Sequence, residues 1–273
     1  FVSQPAITKH IQELEAAYQT RLFDRQGSRI SLTDSGKLLL EHCERILEDY
    51  KRLEYEMHLL HNEYTGGLKL GASTTIAQYV LPPLLASFIG KFPQVNLSLL
   101  NGNSREIEAA LQEHRIDLGF VEGVFRLPNI KYTTFLEDEL VAVVRTGSRL
   151  TVGEEITPEE LLHLPLVLRE RGSGTLDVFE RALQQHNIKL SSLQVLMYLG
   201  STESIKLFLE HTDCQGIVSI RSITRELYSG QLRVVEIKGM PMLRDFSFAQ
   251  PQGQESGLAQ VFMQFAMHNN NKL

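Results

Sequence analysis

The feature that most constrains the fold is a run of apolar residues that repeats every 3.5 positions between residues 39 and 64. Eight of them follow one another at alternating spacings of four and three: Leu39, Cys43, Ile46, Tyr50, Leu53, Met57, Leu60 and Tyr64. So strict a period is typical of a coiled coil, because it keeps one narrow apolar seam facing a partner helix. We therefore predict a dimerising linker helix over residues 37–65, in preference to a long helix that lies on its own domain.

The charge is distributed unevenly along the chain. The whole chain has a net charge of −6, but residues 1–37 carry five cations against four acids, whereas residues 38–65 carry three against seven. Three of the five cations are Arg21, Arg25 and Arg29. DNA contact depends on local charge and not on the chain total, so the acidic balance does not exclude nucleic-acid binding. A basic cluster on a solvated face is an equally good explanation of this charge pattern.

Several classes of protein find no support in the composition. No apolar run approaches the roughly 20 residues of a membrane span, and the opening residues do not have the pattern of a secretory leader. The two cysteines, Cys43 and Cys214, are too few for a disulfide framework or a four-cysteine zinc site. We therefore expect a protein of the reducing cytoplasm that has no membrane partner and no bound metal.

The motifs of the common enzyme classes are missing as well. The sequence has no Walker loop and no dinucleotide-binding glycine pattern, so it gives no reason to expect a cofactor. Gly172-Ser173-Gly174 is not the Gly-x-Ser-x-Gly elbow of a hydrolase. The nine histidines do not fall at metal-ligand spacings on a buried helix face. We expect no enzyme activity.

Residues 66–273 form the larger part of the chain and read as an α/β domain. Thr65-Gly66-Gly67 is a natural boundary, after which short apolar runs alternate with amphipathic helical runs. This alternation predicts a mostly parallel sheet. Two β-rich passages, around 129–145 and 242–249, suggest that the chain crosses twice between two lobes. We place lobe I at about 66–139 and 243–273, and lobe II at about 140–242.

Four hydroxyl-rich or glycine-rich clusters stand between a strand and a helix in this domain. They are Ser73-Thr74-Thr75, Gly102-Asn103-Ser104, Gly172-Ser173-Gly174-Thr175 and Ser201-Thr202-Glu203-Ser204. Ligands of open α/β sheets bind at such places, where helix N-termini favour negative charge, and Arg169 and Arg171 flank the third cluster. Each cluster taken alone is better explained as a helix N-cap, but four of them in one domain favour a ligand-binding cleft.

The first 40 residues carry a dense motif. Val2 to Ile11, then Leu14-Glu15, Arg21 to Arg25 and Leu32 to Gly36, closely resemble the winged helix-turn-helix of LysR-type transcriptional regulators. The resemblance implies a partial winged helix-turn-helix over residues 1–36, then the linker helix, then a two-lobed α/β domain similar to periplasmic binding proteins. It places Phe1 in the turn before the recognition helix, so that part of the family's motif would precede this chain.

The resemblance also assigns residues to DNA contact. They are Ser3, Gln4, Pro5, Thr8 and Lys9 on the recognition helix, Arg25 and Arg29 in the wing, and Thr33 after it. The chemistry agrees, because glutamine can pair with adenine in the major groove and arginines reach phosphates or a narrow minor groove. The partner would be double-stranded promoter or operator DNA, with RNA polymerase as a further partner. Family members usually assemble as tetramers from two dimers.

Family analogy places an effector in the cleft between the lobes. The residues so assigned are Ser73, Thr75, Asn103, Ser173, Thr175, Ser201, Thr202 and Glu203. Hydroxyls at helix N-termini suit a small anionic or carboxylate effector. The leading interpretation is therefore a transcriptional regulator that is controlled by a small molecule. The alternative is a solute-binding protein of a transport system, which would need a signal peptide and would have no coiled-coil linker.

Overall fold

The computed structural model describes residues 4–26, 29–61, 64–124, 126–150, 153–253 and 257–270. The chain divides into two compact units, Phe1–Asn62 and Glu63–Leu273. No helix in the described ranges is both long enough and apolar enough to cross a membrane.

The first unit consists of two helices joined by a hairpin. In chain order its elements are α1 Gln4–Tyr18, β1 Phe23–Gln26, β2 Arg29–Leu32 and α2 Asp34–His61. The two strands pair antiparallel, with Arg25 opposite Ile30. Helix α1 buries none of its residues, and on its predicted apolar face Ile7, Leu14 and Tyr18 are each more than 40% exposed.

The start of α2 is fixed against the segment that precedes the hairpin. The Thr33 hydroxyl donates to the Arg21 carbonyl at 2.7 Å and accepts from the Gly36 N–H at 3.0 Å. A Cβ on Gly36 would lie 2.1 Å from the carbonyl oxygen of Leu22, so only glycine permits this approach. Leu22 is buried, and its N–H donates to the Glu15 carboxylate at 2.8 Å. These contacts hold α1, the hairpin and α2 together.

The seam predicted on α2 is largely exposed to solvent. Ile46 is 66% exposed, Leu53 is 55% exposed and Met57 is 48% exposed, and the Leu60 side chain lies outside the described set. The prediction is wrong for the eighth position, because α2 ends at His61 and Tyr64 lies outside it. The Tyr64 ring instead makes an edge contact with Phe92, at 5.5 Å between centroids.

The second unit is an α/β fold. Its elements begin with β3 Gly66–Ser73, α3 Thr74–Tyr79, α4 Leu81–Lys91, β4 Val95–Gly102, α5 Ser104–Gln112, β5 Leu118–Glu122, β6 Ile130–Arg145, β7 Glu155–Ile156, α6 Pro158–Leu161 and β8 Pro165–Arg169. They continue with α7 Gly174–Gln185, β9 Gln194–Leu199, α8 Thr202–His211, β10 Gln215–Ser219, α9 Thr224–Ser229, β11 Leu232–Ile237, β12 Met242–Pro251 and α10 Leu258–Asn269. Single 3-10 turns occupy Leu190–Ser192 and Ile220–Ser222.

The strands of this unit form one mixed sheet of ten. Its main path runs in the order β4-β3-β5-β12-β6-β10-β8-β9, while β11 joins β6 and β7 joins β11. The parallel pairs predicted from the α/β alternation lie toward the two ends of this path. The pairs that involve β6 or β12 are antiparallel, so the centre of the sheet is not the parallel arrangement that the alternation suggested.

The two long strands β6 and β12 are the passages where a crossing between lobes was predicted. Strand β6 pairs with β12 along residues 130–140, and with β10 and β11 along residues 140–145. Their mutual register shifts between Phe246 and Ser247. We call β3–β5, α3–α5 and α10 the first half, and β7–β11 with α6–α9 the second half. The residue boundaries of two separate lobes stay a prediction.

Each half has its own apolar core. In the first half, the Phe88 ring on α4 packs against Phe262 and Phe265 on α10, with centroids 4.8 and 5.2 Å away. In the second half, Leu168 on β8 and Phe179 on α7 belong to one fully buried cluster. Helices α3 and α4 are separated by Val80, and α4 begins at Leu81 with proline in its first turn.

Candidate functional site

Three of the four predicted clusters meet at Glu122, the last residue of β5. Glu122 is 4% exposed. Its Oε1 accepts from the hydroxyls of Thr75 and Thr175, each at 3.3 Å. Its backbone is bound by Ser104, whose hydroxyl donates to the Glu122 carbonyl at 2.8 Å and accepts from its N–H at 3.2 Å. Three of the four clusters therefore come together, around a carboxylate that the sequence analysis did not single out.

Two glycines allow the end of β5 to touch the start of α7. A Cβ on Gly174 would lie 2.2 Å from the Glu122 carbonyl oxygen. Gly123 has a φ of +114°, and its Cβ would lie 3.1 Å from the Gly174 Cα. Neither site accommodates a side chain, so glycine is required where the two halves approach each other. The Gly-Ser-Gly-Thr motif was the sequence signal for this close approach.

A buried arginine extends the Glu122 cluster into the second half. Arg244 on β12 places Nη1 3.2 Å from Glu122 Oε1, and the same nitrogen donates to the Thr175 hydroxyl at 3.0 Å. Its Nε donates to Asp138 Oδ2 at 2.7 Å. Asp138 also accepts from the Ser219 hydroxyl at 2.7 Å. The side chains of Arg244, Glu122 and Asp138 are at most 1% exposed, so their charges depend on one another. Charged residues inside strand-like sequence were the signal that could have identified Asp138 and Arg244.

The first and fourth clusters meet at Arg169, the last residue of β8. Arg169 is 2% exposed. It donates to the hydroxyl of Thr74 in the first half and to that of Thr202 in the second, each at 3.4 Å. Its shortest contacts are with Glu170, at 2.9 Å from Nε and 3.1 Å from Nη2. Next to Thr74, the buried Ser73 hydroxyl has no hydrogen-bond partner. Arg169 therefore bridges the two halves at a point where polar groups are incompletely satisfied.

Glu203 takes part in a second bridge between the halves. The Tyr79 hydroxyl on α3 donates to the Glu203 carboxylate on α8, and Lys206 lies 2.7 Å from the same carboxylate. Burial raises the pKa of the Tyr79 hydroxyl above its usual range, and the bond to Glu203 raises it further. Burial also raises the pKa of Glu203, but hydrogen bonds from Lys206 and Tyr79 outweigh it, so the net pKa is lowered. At neutral pH the phenol is therefore neutral and the carboxylate is charged.

Three of the predicted effector residues act as caps of their own helices. Asn103 accepts from the Glu106 N–H at 3.0 Å and forms a capping box at the start of α5. Ser173 accepts from the N–H of Thr175 at 3.2 Å, and Ser201 accepts from that of Ser204 at 3.1 Å. The N-cap explanation thus accounts for these side chains, and a direct contact of any of them with an effector stays a prediction.

Arg171 does not share the environment of Arg169. It is exposed and lines an open hollow of about 490 Å³ together with Lys189 and Tyr198. A second hollow of about 380 Å³ is lined by residues that include Glu108 and Asp177. Burial raises the pKa of both carboxyl groups, and a hydrogen bond from Tyr132 opposes the shift at Glu108. Of the two flanking arginines, only Arg169 joins the predicted clusters.

The residues predicted to read DNA lie on the first turns of α1. Gln4, Pro5 and Lys9 are exposed, and Lys9 lies 3.8 Å from Glu13. The Thr8 hydroxyl donates to the Gln4 carbonyl at 3.0 Å. Ser3 lies outside the described residues. Gln4 and Thr8 stand one helical turn apart, so they present one common face.

The wing residues lie on the hairpin. Arg25 belongs to β1 and Arg29 to β2, where Arg29 is paired with Gln26; their side chains lie outside the described set. Thr33 has its hydroxyl hydrogen in the bond to Arg21. A phosphate oxygen only accepts hydrogen bonds, so the Thr33 hydroxyl could donate to one only by giving up this bond. Its DNA role stays a prediction.

Cys214 is not a reactive thiol in the native fold. Cys214 is buried, and burial raises the pKa of its thiol to about 11. Within the described ranges, no three His, Cys, Asp or Glu side chains are grouped so that they could hold a metal ion. The buried thiol is therefore protonated at neutral pH and is a poor nucleophile.

Two protein families match the chain. The family described as "LysR substrate binding domain" matches residues 61–270, and that described as "Bacterial regulatory helix-turn-helix protein, lysR family" matches residues 1–37. The regulator YeiE of Escherichia coli, described as an uncharacterized HTH-type transcriptional regulator, is 34% identical over 236 residues, which cover 86% of this chain and 78% of YeiE. The HTH-type transcriptional regulator CysL of Bacillus subtilis is 26% identical over 247 residues, covering 90% of this chain and 82% of CysL.

Solved structures share the fold. The regulatory domain of Synechocystis CcmR in complex with 2-PG covers 75% of this chain and 97% of that domain, with 27% identity and a TM-score of 0.68. The effector-binding domain of QuiR in complex with shikimate has 19% identity and a TM-score of 0.67, and covers 76% of this chain and 98% of its own. CbnR, described as a LysR family transcriptional regulator, covers 97% of this chain and 91% of its own, with 21% identity and a TM-score of 0.59.

Proposed function

Because the chain belongs to the family of LysR-type transcriptional regulators, we propose that it binds promoter DNA sequence-specifically under the control of a small anion held at Arg169. The helix-turn-helix match at residues 1–37 favours a regulator over a solute-binding protein of a transport system, which would not have this motif. A role at a promoter agrees with the cytoplasmic location expected from the sequence. The curated relatives are transcriptional regulators, in keeping with the expectation that the chain is not an enzyme.

The observation that carries the anion proposal is the position of the Arg169 guanidinium. It is buried between a hydroxyl of the first half and a hydroxyl of the second, both at the long distance of 3.4 Å. Charge-assisted hydrogen bonds are normally about 2.7–2.9 Å long. An anion seated here would give Arg169 shorter bonds than these two hydroxyls do. The buried Ser73 hydroxyl, on the residue before Thr74, has no partner and is a candidate further donor to it. The N-terminus of α8, capped at Ser201, adds a favourable dipole.

Relatives of this fold hold small molecules in the corresponding domain. The CcmR regulatory domain was solved with 2-PG, and the QuiR effector-binding domain with shikimate. These two compounds are therefore rational first ligands for the present chain, together with inorganic sulfate and phosphate.

A ligand at Arg169 would act on the contacts that join the halves. The contact from Arg169 to Thr74 and the contact from Tyr79 to Glu203 both cross between them. A ligand that binds one arrangement of the halves more tightly shifts the population toward it. We propose that the shift reaches DNA through α2 helices paired along their exposed seam in a homodimer. Assembly of two dimers into a homotetramer, and contact with RNA polymerase, extend the same proposal.

Calorimetric titration of the protein with sulfate, phosphate, 2-PG and shikimate tests the effector site. We expect at least one of these ligands to bind, and Arg169→Met to abolish its binding. Arg171→Met is the matched control, because it removes an exposed cation two positions away and should leave binding within about twofold. Thr202→Val removes a hydroxyl without changing the shape of the side chain, so it should weaken binding by about fivefold to tenfold. Equal losses in Arg169→Met and Arg171→Met would contradict the site.

A further inference from the structure

Arg169 already holds a carboxylate, that of its neighbour Glu170. The two Glu170 oxygens lie 2.9 Å from Nε and 3.1 Å from Nη2, so the carboxylate covers one edge of the guanidinium. The hydroxyls of Thr74 and Thr202 approach only to 3.4 Å. Of the partners that the structure describes, Glu170 alone meets Arg169 near charge-assisted distance.

The two members of this pair differ in their access to water. The Arg169 side chain is 1% exposed, whereas that of Glu170 is 26% exposed. A buried guanidinium without a counter-charge is strongly unfavourable, so Arg169 cannot lose its partner without receiving another anion. Glu170 is already partly hydrated, so rotation of its side chain into solvent costs its carboxylate little. The exchange of anions can therefore take place at Arg169 with the arginine fixed.

We propose that Glu170 is an internal competitor of the effector: its carboxylate occupies the edge of Arg169 in the free protein and leaves when an anionic effector binds. This inference rests on the proposed function of Arg169 as the effector site. No proton is transferred, and the guanidinium has one anionic partner before and after the exchange. Only molecules in which Glu170 has left Arg169 can bind the effector, so the apparent dissociation constant is the intrinsic one divided by the fraction of such molecules. Glu170 thereby sets the effector concentration at which the regulator responds.

Competition also predicts selectivity. A neutral hydrogen-bonding ligand cannot replace the charge that Glu170 supplies, so it gains nothing by displacing it. An anion replaces the charge and can also accept from the Thr202 hydroxyl, which bonds Arg169 at 3.4 Å. Glu170 therefore favours anionic over neutral ligands at a site lined by hydroxyls that would otherwise accept both.

The test measures the affinity of sulfate and phosphate for the wild type and for Glu170→Gln, by calorimetry in a buffer of low chloride concentration. Glutamine keeps the length and one acceptor oxygen but removes the charge, so both anions should bind about tenfold more tightly. Glu170→Ala removes the side chain entirely and should do the same. Glu180→Gln is the control for charge: it removes one acid from α7 in the same half, beside Arg171 and not Arg169, and should change affinity by less than about twofold.

The outcomes separate the two proposals. Unchanged or weaker anion binding in both Glu170 variants, while Arg169→Met still abolishes binding, would overturn the competitor and leave the effector site standing. An equal gain in Glu180→Gln would also overturn it, because the effect would then be one of general charge. If no anion binds the wild type or either Glu170 variant, the effector site itself fails.

Discussion

Replacement of Arg244 by methionine tests whether the buried charges at Glu122 and Asp138 depend on one cation. The change keeps an apolar stem of similar length but leaves two carboxylates, both at most 1% exposed, without the guanidinium. Removing one member of a buried ion pair costs about 3–5 kcal/mol. Hydroxyls of Thr75, Thr175 and Ser219 still donate to the two carboxylates. Asp138 also keeps Arg221 at 3.7 Å, so we expect a value within that range and not twice it.

The free energy of unfolding is best measured in urea by circular dichroism, with the melting temperature as a second measure. For a unit of about 200 residues, 1 kcal/mol corresponds to about 2–4 °C, so the melting temperature should fall by about 6–20 °C. Arg115→Met is the control. Arg115 lies 2.7 Å from Glu113, but both side chains are more than half exposed, so its loss should cost less than about 1 kcal/mol.

A third protein distinguishes lost charge from lost packing. In the triple variant Arg244→Met, Glu122→Gln and Asp138→Asn, these three buried charges are all removed and the neighbouring hydroxyls can still bond the amides. We expect this variant to recover at least half of the lost stability. The reasoning is refuted if Arg244→Met costs less than about 1 kcal/mol, or if the triple variant is no more stable than the single one.

Three further predictions concern other parts of the chain. Leu53→Asp combined with Leu60→Asp places charges in the seam of α2 and should convert dimers to monomers in light scattering; persistent dimers would contradict the seam. In a protein that carries the whole helix-turn-helix, Gln4→Ala should cost about 1–3 kcal/mol of DNA-binding free energy at the preferred sequence only. Arg29→Ala should instead weaken binding to all sequences and flatten its salt dependence. Equal behaviour of the two variants would refute these roles. Because the pKa of Cys214 is about 11, native protein at pH 8 should alkylate there over a hundredfold more slowly than unfolded protein, and rapid labelling would contradict its burial.

The fold could be predicted from the sequence where the signal is local. The 3.5-residue period identified α2, and the capping residues Asn103 and Ser173 correctly placed the starts of α5 and α7. Alternation of short strands and helices identified the α/β class but not the antiparallel centre of the sheet. That centre depends on pairing between β6 and β12, which lie about a hundred residues apart in the chain, and such contacts leave no local pattern.

The candidate site was predicted in its parts and missed in its chemistry. Side chains of three hydroxyl clusters meet at Glu122, and those of the first and fourth meet at Arg169. One effector site formed by all four stays a prediction. Glu122, Asp138 and Arg244 were missed. A charged residue inside a strand marks a candidate, but the sequence does not show whether it lies on the surface or is buried with a partner of opposite charge. Tyr64 was assigned to the seam because its spacing fits, but tertiary packing on Phe92 decides its position.

Reciprocal binding of effector and DNA tests the central claim most directly. The protein with the whole helix-turn-helix would first select its preferred sequence from a random pool of duplexes. The affinity for that duplex is then measured with and without the saturating anion, and the affinity for the anion with and without the duplex. The anion should change the affinity for the duplex by a certain factor, and the duplex should change the affinity for the anion by the same factor, because coupling between two sites is reciprocal. In Arg169→Met both factors should be one. A DNA affinity that is the same with and without every anion that binds would contradict it.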